Sequence, residues 1–214
     1  MKKGMKTDDL HLATKVIHVG GYPDPETGSV IPPIYQTSTF IQSSPGKHQG
    51  YEYSRSHNPT RTRLEENLAS LEKAKYALVT ASGMSATMLL MHTLPVGSTI
   101  LCGDDVYGGT YRLFTTIFKD IHHFKFVDTT DLKAVEKILL EDHPKMIWLE
   151  SPTNPLLKIT DIAAISKLAK KSKAKVVVDN TFLSPIFQTP LELGADVVLH
   201  SMSKYINGHS DVVA

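Results

Sequence analysis

A lysine that is to attack a carbonyl must be kept away from carboxylates that would hold it protonated. In the stretch His200-Ser-Met-Ser-Lys-Tyr-Ile-Asn-Gly-His-Ser-Asp211 the amine of Lys204 stands among hydroxyls, histidines and a glycine, with Ser201 and Ser203 close by and no carboxylate adjacent. An apolar run, Val197-Val-Leu199, precedes it. Two other apolar runs end in acids: Val176-Val-Val178 delivers Asp179, and Met146-Ile-Trp-Leu149 delivers Glu150. A fourth, Ala77-Leu-Val-Thr80, leads into Ala81-Ser-Gly-Met-Ser85, which opens a helix whose N–H groups and dipole favour an anion. Each feature alone also fits a plainer role: Ser82 as a helix cap, Glu150 and Asp179 as loop caps, Lys204 as a surface lysine. Taken together they form the set that pyridoxal phosphate requires, with a lysine for its aldehyde, a carboxylate for its ring nitrogen and donors for its phosphate. A free lysine titrates near about 10.4, and desolvation or cationic neighbours bring it into a nucleophilic range.

These groups can meet only if the elements bring them to one edge. From residue 77 onward, strand-like runs at 77–80, 99–102, 124–127, 146–149, 176–178 and 197–199 alternate with helical stretches at 84–94, 111–118, 132–140 and 162–171 and a short one near Leu191. Several strands are continuously apolar, as expected where helices cover both sheet faces. This rhythm predicts an α/β fold with a mostly parallel sheet and right-handed crossovers. Ligands in such sheets bind beyond the carboxyl ends of the strands, where the lysine, the acids and the helix start all fall. Residues 1–58 carry many turn-formers and scattered aromatics with little periodicity, so they are expected to form an arm packing on another subunit, while 59–214 form the α/β domain. Asn58-Pro59 reads as a cap and first helical residue, followed by Leu64, Leu68 and Leu71 at helical spacing.

The composition narrows the class. The chain has 214 residues, 41% hydrophobic and 21% charged, with a net charge of +1, which gives no reason to expect nucleic acid or a membrane surface as partner. One cysteine, Cys102, cannot make an internal disulfide and reads as a core residue of a protein in a reducing compartment. Residues 1–15 hold early lysines but no apolar leader, and no run is long enough to span a membrane, so a cytoplasmic protein is expected. Ser201-Met-Ser-Lys204 also matches S-x-x-K, but neither S-D-N nor K-T-G accompanies it and a strand precedes it. No H-E-x-x-H occurs among the 10 histidines, nor any Walker A or G-x-G-x-x-G, so no metal site is expected. The cluster Lys167, Lys170, Lys171, Lys173 and Lys175 reads as a solvated helix C-terminus.

Six blocks carry a resemblance: Tyr53-Ser-Arg55 with Asn58-Pro-Thr60, Ser82-Gly-Met84, Asp105-Val-Tyr-Gly-Gly-Thr110, Glu150-Ser-Pro-Thr-Asn-Pro155, Val178-Asp-Asn-Thr181, and Ser201-Met-Ser-Lys204 through Asp211. In order and spacing the chain from about Thr14 onward resembles the pyridoxal-phosphate enzymes of cysteine and methionine metabolism, the trans-sulfuration group that includes cystathionine γ-synthase, γ-lyase and β-lyase. The resemblance implies a fold-type I enzyme and a homotetramer built as a dimer of dimers. It implies Lys204 as the Schiff-base lysine, Asp179 as partner of the pyridine nitrogen, and Tyr107 stacked on the ring. Gly83, Met84, Ser201 and Ser203 would hold the phosphate, and Tyr53 and Arg55 would reach the phosphate of the neighbouring subunit. Asn154 would contact cofactor or substrate near the imine, and Thr181 the ring.

Glu52 and Arg112 resemble the γ-synthase and γ-lyase branch, where they would bind the distal charged groups of cystathionine. Methionine γ-lyases carry a cysteine where Gly109 stands, which disfavours that activity. His57 in place of glycine and Ser203 in place of threonine are mild departures. The resemblance therefore points to γ-elimination of cystathionine in sulfur amino-acid metabolism, with γ-replacement on an O-acylhomoserine by cysteine as the alternative. Family members are considerably longer, and the C-terminal domain with the arginine for the substrate carboxylate lies outside these residues. A truncated, non-catalytic fragment that keeps the dimerisation arm is the alternative of another class.

Overall fold

A computed structural model describes residues 10–214. The expected absence of a leader rests in part on residues 1–9, which lie outside the described residues, as does the start of the expected arm. The chain divides into two units, Met1–Val79 and Thr80–Ala214.

In the first unit, helix α1 (Leu12–His18) was not expected from periodicity. It is short, and its start is fixed by His11, whose Nδ1 accepts a hydrogen bond from the Ala13 N–H. Helix α2 (Pro59–Leu71) begins as the sequence indicates, with the Asn58 side chain accepting from the Thr60 N–H at 2.9 Å and Pro59 in the first turn. The Asn58 amide also donates to the Tyr35 carbonyl and the Ser54 hydroxyl, tying the preceding irregular segment to the helix start. The Asn67 amide donates to the carbonyls of Lys15, Val16 and Val19 and so ties down the end of α1. Gly20 turns the chain there with φ of +77°, and a Cβ at that position would lie 2.1 Å from the Arg63 carbonyl oxygen. Val30, Ile31, Ile34 and Ile41 remain exposed.

In the second unit, helix α3 (Gly83–His92) comes first, followed by strand β1 (Thr99–Gly103). Helix α4 (Gly108–Arg112) then runs into a π-helical turn at Leu113–Ile117. Strand β2 (His123–Val127), helix α5 (Leu132–Glu141) and strand β3 (Met146–Glu150) follow. Helix α6 (Ile162–Ser172), strand β4 (Lys175–Asp179), the short helix α7 (Ser184–Phe187) and strand β5 (Val197–Leu199) complete it. The five strands pair in parallel in the order β2-β1-β3-β4-β5.

Both sheet faces are covered, which explains the continuous apolar runs. On one face Leu101, Ile147, Leu149, Val176 and Val178 pack with Val135 and Leu139 of α5 and Ile162, Ile165 and Ala169 of α6. On the other, Ile100, Cys102, Trp148, Val177 and Leu199 pack with Met91 of α3, Phe114 and Phe118. Phe114 meets Trp148 edge-on at 5.5 Å and stacks on Phe124 at 4.6 Å. Each fully buried aliphatic or aromatic side chain of this kind contributes about 1.5–3 kcal/mol. Asp131 and Asp161 cap α5 and α6 through their carboxylates, and Lys173 ends α6 in the left-handed conformation. Cys102 is fully buried in the core, and burial pushes its thiol well up. His122, also buried, sets its Nε2 against the Met91 carbonyl at 3.1 Å as part of the core.

Two expectations differ from the structure. The run 77–80 is not a strand: it stays unpaired, with Leu78 78% exposed, because a strand needs a neighbouring ladder to bond its backbone and apolar content alone supplies none. The short helix expected near Leu191 falls earlier, at α7, and Leu191 itself lies in a turn.

The Gly20 turn gives a direct test of the first unit. Gly20→Ala places a methyl on the Arg63 main chain and forces a residue with Cβ into positive φ. The variant is expected to lose more than about 1–2 kcal/mol, read as a lowered urea midpoint, whereas Gly28→Ala, where a Cβ meets nothing within 4 Å, should lose less.

Candidate functional site

Strand order reverses between β1 and β3, since the chain leaves β1 for β2 on one side and later returns to pair β3 on the other. The carboxyl edge at such a reversal is where an open parallel sheet leaves a crevice. Within the second unit a cavity of about 770 Å³ opens there, a size suited to a small ligand. Its walls include the start of α3, Tyr107 after β1, Glu150 and Asn154 at and after β3, Asp179 and Thr181 at and after β4, and the segment from Ser201 to Lys204 after β5.

Each wall has a local cause. Ser82 caps α3, its hydroxyl accepting from the Ser85 N–H at 3.1 Å, so the plainer role holds for that side chain. Gly83 matters for its missing side chain: a Cβ there would lie 2.8 Å from the Ser201 Cβ, so only glycine lets the helix start come so near to Ser201. The ends of β4 and β5 are joined by a relay in which the Ser201 N–H donates to the Thr181 hydroxyl at 2.8 Å, which donates to Asp179 Oδ1 at 2.5 Å. The Thr181 N–H donates to the same oxygen at 3.1 Å. Lys204 sits in a turn, exposed, with its N–H on the Ser201 carbonyl, and among the described residues no carboxylate stands within ion-pair distance of its amine. Ser203 is engaged with the last residue: its hydroxyl donates to the Ala214 carbonyl at 3.0 Å and accepts from the Ala214 N–H at 2.9 Å.

The loop bearing Asn154 is tied back to the turn after β1. Buried Asp105 accepts from the Thr153 hydroxyl and from the Leu156 N–H at 2.9 Å. Tyr107 lies at the other end of that turn. Its N–H donates to both carboxyl oxygens of Glu150 at 3.0 Å, and its ring rests over Gly109, where a Cβ would lie 2.3 Å from Cε1.

The electrostatics follow from the register. Glu150 pairs opposite Asp179 at the ends of β3 and β4, so two carboxyls share one buried edge. Burial first, and the Asp179 charge second, push Glu150 from its ordinary 4.5 up to about 8. Asp179 is also raised by burial, against which the Thr181 donors and the His200 charge act.

The cavity thus brings together Lys204, Asp179, Tyr107, Gly83, Met84, Asn154, Thr181, Ser201 and Ser203. Arg112 ends α4 and is not among the cavity's walls. Glu52, Tyr53 and Arg55 belong to the first unit, where the Arg55 guanidinium stands 4.9 Å from the Tyr53 ring centre. Phe182, Tyr205 and Val213 also line the cavity and carried no signal in the sequence. Glu150 did carry one, an acid ending an apolar strand beside the strand that ends in Asp179. Among the described residues no group of three or more His, Cys, Asp or Glu side chains comes together as could hold a metal ion, and no helix is long and apolar enough to cross a membrane.

Comparison with known proteins gives a consistent result. The family model described as Cys/Met metabolism PLP-dependent enzyme matches residues 13–214. A probable cystathionine gamma-synthase of Herpetosiphon aurantiacus is 54% identical over 206 residues, covering 96% of this chain and 64% of that protein. A cystathionine beta-lyase of Coxiella burnetii is 51% identical over 205 residues, covering 95% of this chain and 53% of that protein. A crystal structure of cystathionine gamma-lyase from Lactobacillus plantarum complexed with L-serine superposes with a TM-score of 0.91 at 47% identity, covering 95% of this chain and 53% of that one. The chain therefore spans between about half and two thirds of the length of these relatives.

Glu150 gives the site a pH signature. Its folded value lies above its ordinary one, so between 4.5 and about 8 the folded protein binds a proton that the unfolded chain has released. The stabilisation is complete below 4.5 and is lost as pH rises through about 8. Glu150→Gln removes this titration, so the melting temperature of the variant relative to the parent should rise between about pH 5 and about pH 9. A difference that stays constant across that range would show that Glu150 titrates in the ordinary range.

Proposed function

This chain belongs to the Cys/Met metabolism PLP-dependent enzyme family, and we propose that it works there as a carbon–sulfur lyase, cleaving cystathionine by γ-elimination. The family's cofactor is pyridoxal phosphate, and the residues present fit it. The observation that carries this fit is one cavity walled by an amine with no ion pair among the described residues, a half-buried, hydrogen-bonded carboxyl and a helix start brought close to Ser201 by the missing side chain of Gly83. When bound, pyridoxal phosphate supplies an aldehyde that condenses with amines and a ring that withdraws electrons from the adjoining carbon.

The chain's own residues would do the rest. Lys204 would bond the cofactor and, once released, hold and move the proton at Cα and then at Cβ of the substrate. Asp179, oriented through one oxygen by Thr181, would pair with the ring nitrogen, a cationic partner that would bring its raised value back down. Tyr107 would lie against the ring, where an aromatic face suits a π-system. Gly83, Met84 and Ser201 would hold the phosphate, and Ser203 would join them by exchanging its bonds to Ala214. Asn154 and Thr181 would contact the cofactor beside them. Glu52 and Arg112 would read the charged far end of cystathionine. Tyr53 and Arg55 would serve the cavity of a partner subunit in a dimer of dimers. The exposed Val30, Ile31, Ile34 and Ile41 support an arm of residues 1–58 that covers itself on another copy. The single cysteine, buried and unpaired, supports a reducing, cytoplasmic setting.

A second reading, γ-replacement on an O-acylhomoserine by cysteine, is favoured by the relative named as a probable γ-synthase. The products separate the readings in the full-length protein. γ-Elimination of cystathionine yields cysteine, 2-oxobutanoate and ammonia, whereas β-elimination yields homocysteine, pyruvate and ammonia. Formation of cystathionine from cysteine and an O-acylhomoserine would favour the synthase, and cofactor binding without any turnover by residues 1–214 alone would favour the non-catalytic fragment. We expect 2-oxobutanoate as the product, and borohydride reduction should fix the cofactor on the peptide holding Lys204. Label on another lysine would reject the assignment.

The arm has its own test. A hybrid of Arg55→Ala and Lys204→Ala protomers, each inactive alone, should regain activity, because one cavity would combine an intact arm with an intact lysine. If proven hybrids stay inactive, the arm serves its own subunit.

A further inference from the structure

Tyr107 stands at the start of a helix whose own ladder holds its carbonyl, through the Tyr111 N–H at 3.0 Å, but not its N–H. It closes the turn that follows β1, and the helix after it, α4, is five residues long and starts with Gly108-Gly109, residues that leave the backbone free. No side chain caps that helix. The restraint on its N–H comes from the neighbouring strand: both carboxyl oxygens of Glu150 accept from it at 3.0 Å. Glu150 is well placed to act as an anchor. It is the last residue of β3, whose residues are all buried, and it is held in register opposite Asp179. It also lines the cavity that Tyr107 and Asp179 line.

From this geometry we propose that Glu150 is a positioning residue: its carboxyl fastens the Tyr107 main chain to the end of β3, so that the Tyr107 ring is presented to the cofactor at a place set by the same strand pair that carries Asp179. The inference rests on the reading of Tyr107 as the residue against the cofactor ring. Glu150 acts through Tyr107 and is not required to touch the cofactor. A glutamine carbonyl can also accept this bond, which needs an acceptor and not a charge.

The sole tryptophan, Trp148, is buried in β3 two residues before Glu150, and its emission is expected to fall on cofactor binding without any turnover. Titration of the chain with pyridoxal phosphate, followed by quenching of that emission, compares three variants. Glu150→Met keeps the volume and removes the acceptor; it should weaken binding by about tenfold. Glu150→Asp keeps the carboxyl but is too short to reach, should weaken binding to the same extent, and carries the test if the methionine variant does not fold. Glu150→Gln keeps an acceptor and should bind within about threefold of the parent. The decisive arm repeats these variants on Tyr107→Ala. If Glu150 acts through the Tyr107 ring, the loss should vanish there, as coupled positions require.

Equal losses in both backgrounds would show that Glu150 supports the fold at large and would overturn the proposal. Parent-like binding by the methionine variant, or a glutamine variant as weak as the methionine one, would overturn it as well. Failure of the parent chain to bind pyridoxal phosphate would overturn the cofactor reading and this one with it, whereas normal parent binding with additive losses removes only the positioning role.

Discussion

The parallel pairing of β1, β3, β4 and β5 is the constraint on which the site depends. Parallel strands all end at the same edge, so a residue that closes one strand is brought beside the residue that closes the next. The ladder pairs Glu150 with Asp179 and Asp179 with Leu199, one residue before His200, and this short row places two acids and the lysine-bearing turn together. A shift of one residue in either ladder would turn the terminal side chains to the opposite face. The buried faces oppose such a shift, because it would carry Trp148, Val177 and Leu199 out of one core and Ile147, Leu149 and Val178 out of the other.

The cost of the arrangement is electrostatic. Burial, the Asp179 charge and the Asp105 charge all push Glu150 up, burial also raises Asp179, and the site must relieve that crowding of acids. It does so in three different ways. Asp105 is bonded by the Thr153 hydroxyl and the Leu156 N–H, Glu150 keeps its proton to about pH 8, and Asp179 is bonded by the Thr181 N–H and hydroxyl. Asp179 is raised by burial, but the Thr181 donors and the His200 charge favour its ionised form, which is the form that pairs with a cation.

Much of this was legible in the sequence because it depends on strand ends. Lys204, Asp179 and Glu150 each follow an apolar run that becomes a strand, and a parallel sheet converts that linear pattern into proximity. The misses have physical causes of the opposite kind. The run Ala77-Leu-Val-Thr80 has strand composition, but pairing is a long-range property that composition does not contain. Helix α1 is too short to show a period and owes its start to one histidine ring. The bond from Tyr107 to Glu150 spans 43 positions and joins a main-chain group to a side chain, so no local pattern announces it. Phe182 and Tyr205 line the cavity as the sequence neighbours of Thr181 and Lys204, and neither their type nor their spacing announces it.

Tyr107 shows how the site obtains rigidity from permissive residues. Its N–H is fixed by Glu150 and its carbonyl by the Tyr111 N–H at 3.0 Å, so the peptide on each side is held. Its ring needs space as well, and Gly109 provides it, since any Cβ there would overlap the ring at 2.3 Å. Gly83 works in the same way on the opposite wall, where a Cβ would meet Ser201 at 2.8 Å. Neither glycine adopts a positive φ, so neither is explained by turn geometry. Both are explained by close approach: in each case the missing methyl admits another residue's side chain, and the cavity takes its shape from atoms that are left out as much as from those that line it.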